Sequence, residues 1–271
     1  MTVRTIEGRD IGRLLWIESI AWRNGVQFEE AHFRSQIGIF PEGQLCFEDE
    51  QGAVWGFVNL MRFRFCPRRP FGRSWGEITA DGYITSHDTR GNWLFGVNLS
   101  VHPHGYSSGA TEELLLAAGK VCASLHLRGI VLGGRMPGYA RWLRRRTGAD
   151  GPLDGSDIAQ ARAYMETRVE DENGVARRLE PQLELYETFG LRILAPIPGY
   201  MPDEKSGNFG VAMTWSNFLY FPYYLCPSRR VWDAVIYGPV GRKIERAYLG
   251  AMSRNRRAPR GAEAGLPDPE I

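Results

Sequence analysis

Two near-continuous apolar runs with one amphipathic helix between them restrict this chain more than any other feature. Trp93–Val101 (WLFGVNLSV) and Gly129–Gly134 (GIVLGG) read as strands buried on both faces. Between them, residues 111–127 place Leu114, Leu115, Ala118, Val121, Cys122 and Leu125 at helical spacing. Strand, helix, strand in that order requires a right-handed parallel crossover. The junction where the first strand becomes the helix is built from small residues, ending in Ser107-Ser108-Gly109-Ala110. The first N–H groups of a helix are unpaired donors, so a junction of this kind can admit an anion.

Around this unit the pattern alternates further. Residues 2–6 read as a strand, 11–22 and 28–39 as helices, and 44–48 and 53–63 as strands joined by a hairpin link. The segment 64–92 is rich in Pro, Gly, Arg and aromatics and is too irregular for one long element. A short helix (ARWLRRRTG) follows Pro137, then a polar stretch over 149–178 with helical portions, a helix over 183–189 stopped by Gly190, and strands over 191–197 and 209–215. The expectation is one mixed α/β (α+β) domain over 1–216, with a long loop at 64–92 and an insertion at 149–180. An aromatic extension over 217–252 packs on it, and 253–271 is a disordered tail.

Composition narrows the function classes. Across 271 residues, 43% hydrophobic and 24% charged is ordinary globular material. Lys+Arg 33 against Asp+Glu 31 nearly cancels, so the arginines at 64, 68, 69 and 73, interleaved with Phe63, Phe65 and Phe71, do not by themselves indicate nucleic acid. Cys46, Cys66, Cys122 and Cys226 are too scattered for a zinc or redox pair and suit a reducing compartment. His102 and His104 have no third ligand tied to them by spacing, so no metal is expected. With neither an apolar leader nor a spanning apolar run, the expected location is cytoplasmic, with no membrane partner.

The element order, together with SWGEITADGYITSH, GVNLSVHPHG, GGRMPGY and LRILAPIPGYMPDEKSGNFGVAMTW, resembles the GNAT acyltransferase superfamily over residues 2–216. It is most similar to a bacterial branch that includes versions fused to a carbon–nitrogen hydrolase domain, a partner not expected within these 271 residues. The resemblance implies a splayed mixed sheet of about seven strands flanked by helices, gripping acetyl-CoA or another acyl-CoA. The superfamily's diphosphate pattern, Q/R-x-x-G-x-G/A, falls on Tyr106, Ser107, Ser108, Gly109, Ala110 and Thr111, of which Gly109 matches. Tyr106 and Thr111 depart from the pattern. Glu112 and Glu113 repel phosphate from the first helical turn, whereas the hydroxyls of Ser107, Ser108 and Thr111 are available donors.

By the same resemblance, Leu99 and Val101 border the pantetheine arm, and Asn98 and Arg135 face the substrate. Tyr186 takes the position of a general acid that protonates the departing thiolate. Glu77 ranks first as base, because Trp75 and Ile78 beside it offer an apolar setting that would raise its pKa; Asp81, His87 and His102 are the other candidates.

The leading expectation is transfer of an acyl group, most simply acetyl, from coenzyme A to an amine of a small molecule. A second reading keeps the fold but takes the acyl group from an acyl carrier protein, or decarboxylates a malonyl thioester. A third is a non-catalytic sensor or homodimer that uses the aromatic segment NFLYFPYYL.

Overall fold

Every run that the sequence marks as a buried strand joins one sheet. The structure is a computed structural model that describes residues 1–22, 27–68, 73–148, 157–225 and 228–243. Its main sheet contains β1 (Thr2–Thr5), β2 (Gln44–Glu48), β3 (Val54–Phe63), β4 (Trp93–Val101) and β5 (Gly129–Gly134). Two later strands, β8 (Arg192–Ile197) and β9 (Gly210–Ser216), complete it in the order β1-β2-β3-β4-β5-β9-β8. Among the described residues, only β4 and β5 pair parallel in this sheet, as the crossover requires. Two short strands, β6 (Arg168–Glu170) and β7 (Ala176–Arg178), form a separate hairpin.

Helices α1 (Ile11–Ala21) and α2 (Glu30–Ile39) precede β2, and α5 (Ala110–Ser124) provides the crossover between β4 and β5. Leu14, Ile17 and Phe33 from α1 and α2, and Leu114, Ala118 and Cys122 from α5, are buried with β2–β5 in one core. A second core joins the β5-β9-β8 arm to α6 (Tyr139–Thr147), α7 (Ile158–Glu166) and α8 (Pro181–Thr188), around Met136, Tyr139, Tyr164, Leu183, Phe209 and Met213. Strand β5 belongs to both cores, with Ile130 and Val131 in the first and Leu132 against the second, and the seam opens where its pairing with β4 ends.

The structure adds elements to the sequence reading. The irregular segment at 64–92 contains α3 (Trp75–Thr79), begun by a reciprocal Ser74–Glu77 capping box. The strand-to-helix junction is not a bare turn, because α4 (Pro103–Ser107) occupies it. The polar stretch holds α7 and the β6–β7 hairpin. After β9 come α9 (Tyr220–Leu225) and α10 (Arg229–Tyr237), and α10 packs against α5. Arg69, Phe71, Cys226, the start of the insertion (149–156) and the tail at 253–271 lie outside the described residues.

Candidate active site

The seam opens because β4 and β5 pair over only three positions, Leu94↔Ile130, Phe95↔Val131 and Gly96↔Leu132. Beyond Gly96 the register of β4 against β3 shifts: Leu60 pairs with Gly96 and Asn59 with Asn98, which leaves Val97 unopposed. A bulge of this kind turns the strand and ends its pairing on the far side. Residues 97–101 of β4 and 133–134 of β5 therefore diverge as the two sides of a groove. Trp75 bridges them: its indole N–H donates to the Val97 carbonyl at 2.9 Å and its backbone N–H to the Tyr200 carbonyl at 2.7 Å.

On the β4 side, Asn98 and Ser100 point at a residue that sequence reasoning passed over. Glu18 of α1 is fully buried; it accepts from Asn98 Nδ2 at 2.9 Å, from Ser100 Oγ at 2.8 Å and from the Phe28 amide at 3.4 Å. Burial raises its carboxyl pKa, against those three hydrogen bonds. The signal was an acidic residue four positions after Leu14, on the buried face of α1. Trp22, one turn on, donates its indole N–H to Ser100 Oγ at 2.9 Å.

From the β5 side, the Arg135 guanidinium lies over the Trp22 ring, 5.1 Å from its centroid, and donates to Asp203 Oδ2 at 2.7 Å. Asp203 also accepts from the Ser206 hydroxyl, and its pKa is lowered: Arg135 and Ser206 together outweigh the opposing effect of burial. Asn98 and Arg135 are thereby brought to opposite sides of the same groove, through Ser100 and Trp22.

At the head of the groove, Gly109 caps α5 in the left-handed region at φ 79°, and a side chain there would meet nothing nearer than Glu112 at 4.0 Å. Ala110, Thr111 and Glu112 supply the first amides of α5, and the Thr111 hydroxyl is buried without a hydrogen-bond partner among the described residues. These features fit a phosphate. The hydroxyls of Ser107 and Ser108, by contrast, donate back to the His104 carbonyl at 2.8 and 3.0 Å. Tyr106 is about half exposed; Leu99 is half-buried and Val101 buried.

Adjacent glycines at the open end of β5 carry one tyrosine each. The Tyr186 ring of α8 lies beside Gly134, 3.6 Å from where a Cβ would stand, and Tyr200 covers Gly133. Burial pushes the Tyr186 phenol up to about 12, with Tyr106 adding to the shift. Glu180, itself buried, caps α8 through the Gln182 amide at 3.3 Å and accepts from the Gly138 amide and the Tyr164 hydroxyl, which ties α8 to the turn that carries Arg135.

The candidate bases sit elsewhere. Glu77 is exposed and accepts from the Ser74 backbone and hydroxyl at 2.8 and 2.9 Å, so its pKa is lowered rather than raised. The apolar neighbours expected to raise it do not enclose its carboxylate. Asp81 is exposed. His87 Nδ1 accepts from the Arg62 amide at 3.2 Å, and His102 Nδ1 from the His104 amide at 3.1 Å while its ring stacks on Trp16. Among the described residues no group of three or more His, Cys, Asp or Glu is placed to hold a metal ion, and no helix is long and apolar enough to cross a membrane.

No family profile matches the chain. The loading GNATL domain of CurA from Lyngbya majuscula superposes with a TM-score of 0.62 at 18% identity, over 80% of this chain and 97% of that one. This is the GNAT fold. A second GNAT structure, the GphF GNAT-like decarboxylase in complex with isobutyryl-CoA, superposes with a TM-score of 0.61 at 21% identity, over 80% of this chain and all of that one. In sequence, the chain is 26% identical over 224 residues to the uncharacterized N-acetyltransferase YkwB of Bacillus subtilis (strain 168), covering 90% of it. It is 28% identical over 225 residues to the probable hydrolase YhcX of the same strain, of whose length it spans only 40%. Within the GNAT fold, the β4/β5 groove and the Gly109 junction are the features described above.

Proposed function

We propose that this chain is an acyl-CoA-dependent N-acyltransferase that moves an acyl group, most simply acetyl, to an amine of a small molecule. The observation that carries the reading is the β4/β5 groove, open beyond Gly96 and Leu132, with Tyr186 on one wall and Asn98 on the other. Thr111, Gly109 and the first amides of α5 hold the diphosphate. The free edge of β4 at Leu99 and Val101 pairs with the pantetheine arm.

When the amine nitrogen attacks the thioester carbon, the carbon–sulfur bond breaks and its electron pair leaves on sulfur. Tyr186 holds its proton at neutral pH and gives it to that thiolate, although burial makes the phenol a weaker acid. Arg135 and Asn98 border the incoming acceptor and the acyl group. The amine attacks as the free base and its proton passes to water, because Glu77 is exposed outside the groove and its lowered pKa makes it a poor base. Single-turnover transfer from acetyl-CoA to a panel of small amines tests the reading; the absence of acylated product from every amine would argue against it.

One observation favours a second donor. Glu112 and Glu113 bring negative charge to the first turn of α5, and the hydroxyls of Ser107 and Ser108 are turned to His104, which weakens a diphosphate seat more than a single phosphodiester seat. A carrier-protein arm has only the latter, and the two solved structures described above are a loading domain and a decarboxylase. Mass spectrometry of malonyl-loaded carrier protein, with and without this chain, separates the two: loss of carbon dioxide or of the acyl group supports the carrier reading, and unchanged mass removes it.

A further inference from the structure

Tyr200 is a buried polar group that the assignments above leave unused. It is 1% exposed, and its ring fills the space over both Gly133 and Gly210. The hydroxyl end lies directly above Gly133, 2.3 Å from where a Cβ would stand, so no side chain is tolerated there. Gly133 is the first residue of β5 past its last pair with β4, which puts the hydroxyl at the open part of the seam. The Gly133 amide faces the oxygen, but the hydroxyl proton finds no acceptor among the described residues. Buried hydroxyls are almost always satisfied, so one held rigidly with an idle proton is a donor kept for a ligand atom.

The position is fixed from both sides of the groove. The Tyr200 carbonyl accepts from the Trp75 amide, and the Trp75 indole holds the carbonyl of the bulge residue Val97. The Tyr200 amide donates to the Asn208 carbonyl at 2.9 Å. Tyr186 lies close enough to influence its ionisation, from the neighbouring glycine on the other face of β5.

We propose that the Tyr200 hydroxyl is a further catalytic group that donates a hydrogen bond to the carbonyl oxygen of the bound acyl thioester. The inference rests on the acyl-thioester reading and adds a residue to it. As a nucleophile attacks the carbonyl carbon, negative charge collects on that oxygen. The Tyr200 proton stays on its phenol and stabilises the charge, while the thiolate takes its proton from Tyr186. A donor aimed at a developing oxyanion contributes more in the transition state than in the ground state.

The test compares binding of acetyl-CoA and S-ethyl-CoA, which replaces the carbonyl by a methylene, to the parent chain and to Tyr200→Phe. The parent should favour acetyl-CoA about 5- to 10-fold and Tyr200→Phe should bind the two alike. The turnover number should fall about 10²-fold, with the melting temperature unchanged or slightly raised because an unpaired buried hydroxyl is removed. A Tyr200→Phe protein that keeps the carbonyl preference, or that merely melts lower, overturns the proposal and leaves the acyltransferase reading standing. A parent chain that binds neither thioether nor thioester removes both.

Discussion

Glu18 on α1 and Asn98 on β4 are joined by a buried hydrogen bond of 2.9 Å, which ties the first helix to the strand segment just past the Val97 bulge. Glu18→Ala would leave the Asn98 and Ser100 donors and the Phe28 amide buried without their acceptor. A loss of about 3 kcal/mol is expected, measured by urea denaturation. A change below the measurement error would mean that these groups find other partners.

The same carboxyl gives a pH signature. Its pKa is raised by burial, so its contribution to stability is full below the ordinary glutamate value and is lost as pH rises through the raised one. Glu18→Gln should flatten the decline of stability across that window. Parallel pH–stability curves for parent and variant would contradict the assignment.

Arg135 neutralises Asp203, whose side chain is only 7% exposed. Because the pKa of Asp203 is lowered, this pair stabilises the fold above the ordinary aspartate value and the contribution fades as pH falls through the lowered one. Arg135→Met should cost about 3 kcal/mol at neutral pH by leaving a buried charge unpaired. The cost should shrink in acid, and thermal melts at two pH values check both statements.

Much of the fold was legible because the strands announce themselves as apolar runs: WLFGVNLSV and GIVLGG fixed the parallel seam, and the sheet followed. The missed elements depend on contacts that no local pattern carries. At Gly105 a Cβ would stand 2.7 Å from the Trp55 carbonyl, so α4 depends on close packing against β3 as well as on Pro103 at its start. The β6–β7 hairpin turns at Asn173-Gly174, a strong local signal, but its flanks are mostly exposed and lack the alternation that marks a strand. Tyr186 and Arg135 were picked out as candidates by their place relative to glycines. Glu18 and Tyr200 were not, because the groups that surround them come from distant parts of the chain.

Tyr186→Phe should lower the turnover number about 10²-fold with little change in KM for the acyl donor, since a general acid acts only as the thiolate leaves. With its pKa near 12, the alkaline limb that Tyr186 imposes lies far above neutrality. An unchanged rate would remove it from the chemistry.

The central claim is that the Gly109 junction and the β4/β5 groove together seat an acyl thioester. Isothermal titration with acetyl-CoA measures this directly, on the parent chain and on Gly109→Trp, whose bulky side chain would stand at the start of α5 where the open space now is. One-site heat from the parent and none from the variant is the predicted result; no heat from the parent, or equal heat from both, contradicts it.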